Sequence, residues 1–309
     1  ECIMCFQVFG SLSSMSLQNR AILLMIGAIF LFTTMDALAK GISLRSTPVM
    51  ALWARYSGQM ILVLILVAPR LRTVAKTNFP GLQLLRSIFL LCATASFFTG
   101  LSYLGLAEMT AIMDLNPVLI TLGAAIFLGE KLGPRRVMGI LAALIGAMII
   151  IRPGTGVFSW SAIFPLLAAL FYTAYSLATR FVGNREDPWT SLLYAAMVGS
   201  IVMTGVVIFN WQAPDLVTVA LMLALAVVGT TGQLLLIRAL TAGEAAMLAP
   251  FAYAGLIFAT IWGVLFFGEF PDLWTIVGAI IIVAAGLYVW YRETQTAPVV
   301  AAIKTKNQR

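Results

Sequence analysis

Charged side chains inside long apolar segments are the residues of this chain that could do chemistry. Asp36, Arg55 and Asp114 each lie within such a segment. A charge in the hydrocarbon layer of a membrane is costly, so each one is expected to have a functional or a structural partner. One arginine with two carboxylates could bind a zwitterionic, amino-acid-like ligand or relay a proton. The alternative is a structural ion-pair network, and Asp36 with Lys40 has the spacing of a local pair at the membrane interface.

Two prolines interrupt apolar segments, Pro117 beside Asn116 in one case and Pro250 in the other. A proline removes the hydrogen bond to the carbonyl group one turn earlier in the helix. Broken helices inside membranes line cavities more readily than they face lipid, because their free carbonyl groups need polar surroundings. An ordinary kink that a membrane helix tolerates is the alternative.

Aromatic and amide side chains form a third group of candidates. Tyr172 and Tyr175 are three residues apart and share one helix face, where they could stack on a planar ligand and donate hydrogen bonds. For each aromatic residue, core packing is the alternative. Gln233 follows two glycines that permit close helix approach or the opening of a cavity. The other candidate binding residues are Trp53, Tyr56, Phe251 and Tyr253.

The composition identifies the elements that must position these residues. The chain has 309 residues, of which 61% are hydrophobic and 10% are charged, and its mean hydropathy is +1.00. Soluble domains contain about 25% charged residues, so this chain is predicted to be an all-α polytopic protein of the lipid bilayer. It contains no histidine. Histidine-based metal sites are therefore excluded, a coupling proton would need a carboxylate, and no cofactor is predicted.

Ten membrane spans are predicted from apolar runs close to the roughly 20 residues that cross the hydrocarbon layer. They cover residues 21–39, 49–68, 87–106, 109–128, 135–151, 162–179, 189–209, 217–237, 245–267 and 273–290.

The distribution of basic residues predicts the orientation of these spans. Of 19 lysines and arginines, fifteen fall in segments that are cytoplasmic when the N-terminus is cytoplasmic, and three fall outside. This bias follows the positive-inside rule, so both termini are predicted to be cytoplasmic. The net charge of +7 is thus explained by topology and does not indicate a nucleic-acid partner.

The second half of the chain repeats the first. Gly129-Glu130 recurs as Gly268-Glu269, and Pro48 recurs as Pro188. Five spans in each half place the halves in opposite orientations, which is typical of transporters that bind substrate near the membrane midplane. We predict a first repeat at residues 15–152 and a second at 153–292, with an N-terminal extension (1–14) and a disordered cytoplasmic tail (293–309). Glu130 and Glu269 are assigned to the turns that they occupy.

Two stretches carry a resemblance to a known family. LRSIFLLCATASFFTGLSYLGLAEMTAIMDLNPVLITLGAAIFLGEKL in the first half and GQLLLIRALTAGEAAMLAPFAYAGLIFATIWGVLFFGE in the second resemble the drug/metabolite transporter superfamily, EamA type. The resemblance implies two inverted five-helix repeats and metabolite transport across a bacterial inner membrane. The second half is similar to the branch that includes riboflavin and S-adenosylmethionine importers.

These observations predict a secondary transporter of a small polar metabolite (amino-acid-like, nucleoside-like or vitamin-like) that works by alternating access as a monomer or homodimer. A proton is a candidate coupling ion. The alternatives are an efflux pump for amino acids or drugs, and a structural or lipid-handling membrane protein. An enzyme is not predicted, because the chain has neither a Walker A sequence nor an HExxH motif, and without histidine no serine–histidine pair.

Overall fold

Apolar runs of the sequence become helices throughout the part of the chain that the structure, a computed structural model, describes. That part comprises residues 17–128, 133–151, 160–182, 186–242 and 248–306. The helices are α1 (Leu17–Arg45), α2 (Pro48–Val67), α3 (Pro80–Gly100), α4a (Leu106–Met113), α4b (Asn116–Leu128), α5 (Pro134–Ile151), α6 (Ile163–Val182), α7 (Pro188–Phe209), α8 (Leu216–Ala242), α9 (Ala254–Phe267) and α10 (Leu273–Lys306). The N-terminal extension at residues 1–14 and the Gly129-Glu130 turn lie outside the described residues.

The number of spans agrees with the prediction. Among the described residues, nine helical segments are long and apolar enough to cross a membrane, and Val137–Ile151 is a tenth, shorter apolar helix. The spans also begin as the sequence repeat predicts. Proline is the first helical residue of both α2 and α7, where its missing N–H group costs no hydrogen bond. Thr47 caps α2 and Asp187 caps α7 with a side-chain oxygen.

Helix packing follows the two-fold relation between the repeats. The extensive contacts include those of α1 with α8 and of α3 with α6, and the inverted repeat makes these two pairs equivalent. The pairs α2–α7, α5–α10 and α4a–α9 also pack together, and each joins equivalent helices of the two repeats. Since each repeat has an odd number of spans, the two repeats are inverted. Most of the interior therefore lies between the two halves.

The crossing of α5 and α10 depends on two glycines. A Cβ atom at Gly146 would lie 2.8 Å from the Gly278 carbonyl oxygen, and a Cβ atom at Gly278 would lie 2.5 Å from the Gly146 carbonyl oxygen. The main chains of the two helices thus touch here. Membrane helices pack closely in this way because lipid supplies no hydrophobic force between them, and small residues maximise van der Waals contact.

We expect Gly146→Ala to destabilise the protein by about 1–3 kcal/mol, because the added methyl group meets main-chain atoms that cannot rotate away. Gly205→Ala on α7 is the matched control, since a Cβ atom there has no neighbour within 4 Å. Thermal unfolding of both purified variants measures the difference. Equal melting temperatures for Gly146→Ala and the unmodified protein would contradict the close α5–α10 contact.

Both predicted helix breaks are present. Span 4 is interrupted between Met113 and Asn116, just before Pro117. Span 9 begins with a 3-10 segment, Ala249–Tyr253, which contains Pro250 and precedes α9. The breaks lie in equivalent spans of the two repeats, and α4a packs against α9. The structure therefore brings the two irregular segments to the same part of the interior.

Several predicted boundaries are wrong, among them those of α3 and of α10. Helix α3 begins at Pro80 and ends at Gly100, whereas residues 87–106 were predicted, so Arg86 lies inside a helix and not in a cytoplasmic loop. Proline at the first helical position starts this helix ahead of its apolar run. Helix α10 continues to Lys306, where a disordered tail was predicted. Extending an existing helix is inexpensive compared with nucleating one.

Candidate functional site

Arg55 lies half-buried on α2 in contact with aromatic rings. Its guanidinium carbon is 5.5 Å from the ring centroid of Tyr56 and 5.5 Å from that of Phe98. Tyr56 is 1% exposed, and its hydroxyl group donates a hydrogen bond to Thr94 Oγ1 at 3.1 Å. Cation–π contacts of this kind stabilise an arginine that is partly removed from water. Tyr56, predicted as a ligand-binding residue, thus helps to position Arg55.

No carboxylate of the described residues lies within ion-pair distance of Arg55. Asp36 on α1 is close enough to interact with it electrostatically, as is Tyr172 on α6. The sequence left open whether Arg55 belongs to a structural ion-pair network, and these contacts do not form one. The guanidinium group of Arg55, with its planar set of N–H donors, therefore has no carboxylate in contact in the part of the chain that the structure describes.

Tyr172 and Tyr175 connect Arg55 to a second arginine. Their ring centroids are 5.6 Å apart, as expected for two residues on one helix face. The Tyr175 hydroxyl group accepts a hydrogen bond from Arg86 Nη2 at 3.0 Å, and the Arg86 guanidinium lies 5.0 Å from the Tyr175 ring centroid. Tyr172, Tyr175 and Arg86 thus form a chain of contacts between α6 and α3, and Tyr172 interacts electrostatically with Arg55 on α2.

Arg86 is 7% exposed and ties α3 to α6. Its Nε atom donates to Thr179 Oγ1 at 2.8 Å, and its Nη1 atom donates to Gln83 Oε1 at 3.1 Å. The prediction that Arg86 lies in a loop missed this role. The residues after Pro80 include polar ones, and sequence alone does not show that these side chains have buried hydrogen-bond partners. The proline itself, a common first helical residue, was the available signal.

Gln83 extends this network to the loop before α7. Its Nε2 atom donates to Glu186 Oε2 at 3.2 Å, and Glu186 Oε1 accepts from the Asn78 main-chain N–H at 2.8 Å. Partial burial raises the pKa of Glu186, but the hydrogen bonds from Asn78, Thr77 and Gln83 outweigh it and hold the pKa below its usual value. We call the helix ends joined by Gln83, Arg86 and Glu186 the Arg86 end.

The opposite end of the bundle is closed by a buried ion pair. Lys40 on α1 is 3% exposed and pairs with Glu269, in the turn between α9 and α10. Lys40 Nζ also donates to the Leu104 carbonyl oxygen at 2.7 Å. Glu269 Oε2 accepts from the Leu106 N–H at 3.0 Å, at the N-terminus of α4a, where a negative charge is favourable. These contacts join the two repeats, and we call this the Lys40 end.

The predicted roles of Lys40 and Glu269 need correction. Lys40 does not pair with Asp36 four residues earlier, because the lysine side chain reaches Glu269 of the other repeat instead. Glu269 does lie in a turn, which the positive φ angle of 64° at Gly268 allows. Its side chain, however, is 31% exposed and bridges α1 and α4a. The sequence could not indicate this pairing, because the two residues lie in different repeats.

A cavity of about 460 Å³ lies beside the Lys40–Glu269 pair. Its walls include Lys40, Glu108, Glu269 and the segment from Leu101 to Gly105. The Oγ atom of Ser102, another lining residue, is buried and has no hydrogen-bond partner among the described residues. The volume is within the range of small-molecule sites, roughly 300–1,000 Å³.

Asp114 lies at the break between α4a and α4b, where its N–H group still bonds to the Thr110 carbonyl oxygen at 2.9 Å. One oxygen of its carboxyl group, Oδ2, is buried without a hydrogen-bond partner among the described residues. The same holds for Asn116 Oδ1 and for the hydroxyl group of Tyr253. Tyr253 lies in the 3-10 segment before α9 and interacts electrostatically with Asp114. An electrostatic interaction thus links Asp114, at the break in span 4, to Tyr253, at the start of span 9.

Three other predicted residues have different surroundings. Trp53 donates from Nε1 to Thr204 Oγ1 at 3.2 Å, between α2 and α7. Phe251 packs against a cluster of buried residues from α1 and α8 and from Leu248. Gln233 lies half-buried on α8, and the preceding Gly232 lets α8 approach α1, as the close-approach alternative predicts.

The fold and these buried polar groups define a class, the helical membrane proteins built from inverted repeats. The EamA-like transporter family model matches the chain twice, at residues 19–152 and 159–291. The chain therefore belongs to the EamA-like transporter family.

Similar proteins are transporters of small metabolites by name. A riboflavin transporter of Rhizobium johnstonii is 30% identical over 71% of this chain and 72% of its own length. The pseudopaline exporter CntI of Pseudomonas aeruginosa is 29% identical over 88% of this chain and 96% of its own length. An S-adenosylmethionine uptake transporter of Rickettsia bellii is 26% identical over 84% of this chain and 89% of its own length. One crystal structure with 19% sequence identity superposes on 90% of this chain with a TM-score of 0.64, which supports the fold.

Proposed function

We propose that this protein is a secondary transporter of a small, anion-bearing polar metabolite, and that Arg55 binds the anionic group. The observation that carries the proposal is a half-buried guanidinium group that contacts aromatic rings but no carboxylate among the described residues. A half-buried charge with no carboxylate in contact is costly, so a ligand carboxylate or phosphate would complete the site. Asp36, which interacts electrostatically with Arg55, suits the amino group of an amino-acid-like ligand, and Tyr172 suits a planar ring.

Alternating access is the proposed mechanism. Polar contacts close the two ends of the bundle separately, with Lys40–Glu269 at one end and the Gln83–Arg86–Glu186 network at the other. A transporter must open one end while the other stays closed, and the inverted repeats provide two equivalent sets of helices for this purpose. Opening the Lys40 end would break the ion pair and hydrate both charges.

We propose the bacterial inner membrane as the location, with both termini in the cytoplasm. The distribution of lysine and arginine supports this orientation, which makes the Lys40 end the outer end. Cysteines introduced at Lys131 and Asp272 in a cysteine-free protein test it. We expect a membrane-impermeant thiol reagent to label Asp272→Cys from outside and Lys131→Cys only after the membrane is opened. Labelling of both from one side would contradict the inverted orientation of the two turns.

Proton coupling remains a prediction from the sequence. The chain contains no histidine, so Asp36 and Asp114 are the two candidate carboxylates within the spans. Asp36, beside Arg55, is the candidate at the proposed substrate site.

The relatives support both import and export, so an efflux pump for amino acids or drugs is the second candidate. The pseudopaline exporter resembles this chain over nearly its whole length. Proteoliposomes loaded or bathed with labelled amino acids, nucleosides and vitamins distinguish the two directions. We expect saturable transport of at least one anionic member of the panel. Only passive leakage of every compound, in both directions, would contradict the proposed function.

A further inference from the structure

The cavity at the Lys40 end contains two carboxylates that lie next to each other. Glu108, in the first turn of α4a, accepts a hydrogen bond at Oε2 from the Gly105 N–H at 3.4 Å. Glu269, in the turn after α9, accepts at Oε2 from the next main-chain N–H, that of Leu106, at 3.0 Å. A Cβ atom at Gly105 would lie 3.6 Å from Glu269 Oε2 and 3.9 Å from Glu108 Oε2. Each repeat thus contributes one carboxylate to the same place in the cavity wall.

The charges around this cavity do not balance. Among the described residues that line it, Lys40 is the only lysine or arginine. Lys40 pairs with Glu269, whereas Glu108 forms no ion pair with any residue that the structure describes. The N-terminus of α4a offsets part of the remaining charge, since a helix N-terminus carries about half an elementary positive charge. An excess of negative charge is left, and it favours a cation as the ligand.

The size and the lining of the cavity favour an organic cation over an inorganic one. Its volume is about 460 Å³. One water molecule takes up about 30 Å³ in the liquid, so a single dehydrated ion would fill only a small part of this space. Tyr103 lines the cavity, and its ring stacks on Phe164 with the centroids 5.6 Å apart. Aromatic rings attract organic ammonium groups. The lining also includes the apolar residues Leu44, Leu101, Ala107, Phe270 and Pro271.

A buried hydroxyl group adds an independent sign of a ligand. Ser102 lines the cavity, and its Oγ atom is buried without a hydrogen-bond partner among the described residues. Buried polar atoms are almost always hydrogen-bonded, so this one calls for a partner from outside that part of the chain. A hydroxyl oxygen can accept a hydrogen bond from an ammonium group, which has only N–H donors.

We propose that the cavity at the Lys40 end binds a small organic amine in its ammonium form, with Glu108 as the counter-ion and the apolar part of the amine against the apolar lining. The ligand carries a net positive charge, because the carboxylate of a zwitterion or an anion would be repelled where two carboxylates already outnumber one lysine. None of the residues assigned to the metabolite site, Arg55, Asp36 and Tyr172, lines this cavity. The inference therefore goes beyond the proposed function and does not rest on it.

Protection of an introduced cysteine tests the proposal on the purified full-length protein in lipid nanodiscs, where both faces are accessible. Leu44→Cys, in an otherwise cysteine-free protein, places the thiol in the cavity lining at a position where the native side chain is 59% exposed. We expect n-butylammonium chloride to slow the reaction with an uncharged thiol reagent, with saturation. Sodium chloride and sodium butyrate at equal ionic strength should not slow it. Norvaline, which adds a carboxylate to the same carbon chain, should protect only at higher concentrations.

Glu108→Gln and Asp215→Asn are the matched variants for this measurement. Each removes one carboxylate at the same end of the bundle, and each keeps a side-chain oxygen for the N–H group at a helix start, that of Gly105 or of Thr218. We expect Glu108→Gln to raise the half-protecting concentration of n-butylammonium by about 10- to 100-fold, because a charge-assisted hydrogen bond is lost. Asp215→Asn, which changes a surface residue paired with Arg45, should leave this concentration unchanged.

Four outcomes would overturn the proposal. The first is a reaction rate that n-butylammonium does not change, and the second is a half-protecting concentration that is the same in Glu108→Gln. Equal protection by sodium chloride would assign an inorganic cation to the cavity. Protection by norvaline at lower concentrations than n-butylammonium would assign a zwitterion. The measurement involves no transport, so a failed transport assay would leave the amine site standing.

Discussion

Replacing Arg55 with alanine should strongly weaken substrate binding and transport while leaving the amount of protein in the membrane nearly unchanged. The guanidinium group has no acidic partner in contact among the described residues, so its loss should not break the bundle. A hydrogen-bonded charge contributes about 1.5–3 kcal/mol, which corresponds to roughly 10- to 100-fold in affinity for an anionic substrate. Substrate binding and membrane abundance are measured on the same preparations.

Arg55→Lys and Arg45→Ala are the comparison variants for this experiment. We expect Arg55→Lys to recover little binding, because an ammonium group cannot form the two parallel hydrogen bonds that a carboxylate accepts from arginine. Arg45→Ala removes an exposed arginine from the end of α1 and should bind substrate normally.

Two outcomes would change the role of Arg55. Loss of folded protein in Arg55→Ala, partly restored by a second change at Asp36 or Asp114 to asparagine, would make the partner of Arg55 an internal carboxylate. Unchanged abundance together with unchanged transport would contradict both the substrate and the internal partner.

Breaking the Lys40–Glu269 ion pair should open the Lys40 end of the bundle. Removing one charge of a buried pair leaves the other charge uncompensated, and because Glu269 is 31% exposed we expect a cost of about 1–3 kcal/mol. That cost corresponds to a roughly 5- to 150-fold shift toward the open state. A cysteine at Asp36, one helical turn below Lys40, should react correspondingly faster with a membrane-impermeant reagent in Glu269→Gln.

The exchanged pair, Lys40→Glu with Glu269→Lys, should return the reaction rate toward its original value. Arg45→Gln is the matched control, because Arg45 lies on the same helix as Lys40. Its ion pair with Asp215, at 3.6 Å, has both side chains exposed. Exposed pairs contribute little, so the rate should not change. Equal acceleration in Arg45→Gln and Glu269→Gln would contradict a specific closing role for the buried pair.

The sequence predicted the fold because its signals are local. Apolar runs define the spans, Pro48 and Pro188 mark equivalent helix starts, and Pro117 and Pro250 mark breaks that the structure contains. Each of these features acts within one helix. The repeat then determines which helices are equivalent, and thereby which helices pack together.

The polar contacts at the two ends could not be predicted in the same way. Lys40 and Glu269 lie in different repeats, and neither residue carries a local sign of its partner. Arg86 resembled a loop residue because the polar positions around it are buried by α6, by α7 and by the loop before α7. Partners of this kind depend on how the repeats pack, which the hydropathy of a single segment does not encode.

Counterflow in proteoliposomes tests the central claim, alternating access by a metabolite transporter, most directly. Vesicles containing the purified protein are loaded with an unlabelled substrate found in the panel, and entry of the labelled compound is followed without any ion gradient. Our account predicts a transient accumulation of label above equilibrium, because unlabelled substrate competes with the label for the site at the inner face and slows its exit. It also predicts the loss of this accumulation in Arg55→Ala. Entry that never exceeds equilibrium and is independent of the internal substrate would contradict alternating access.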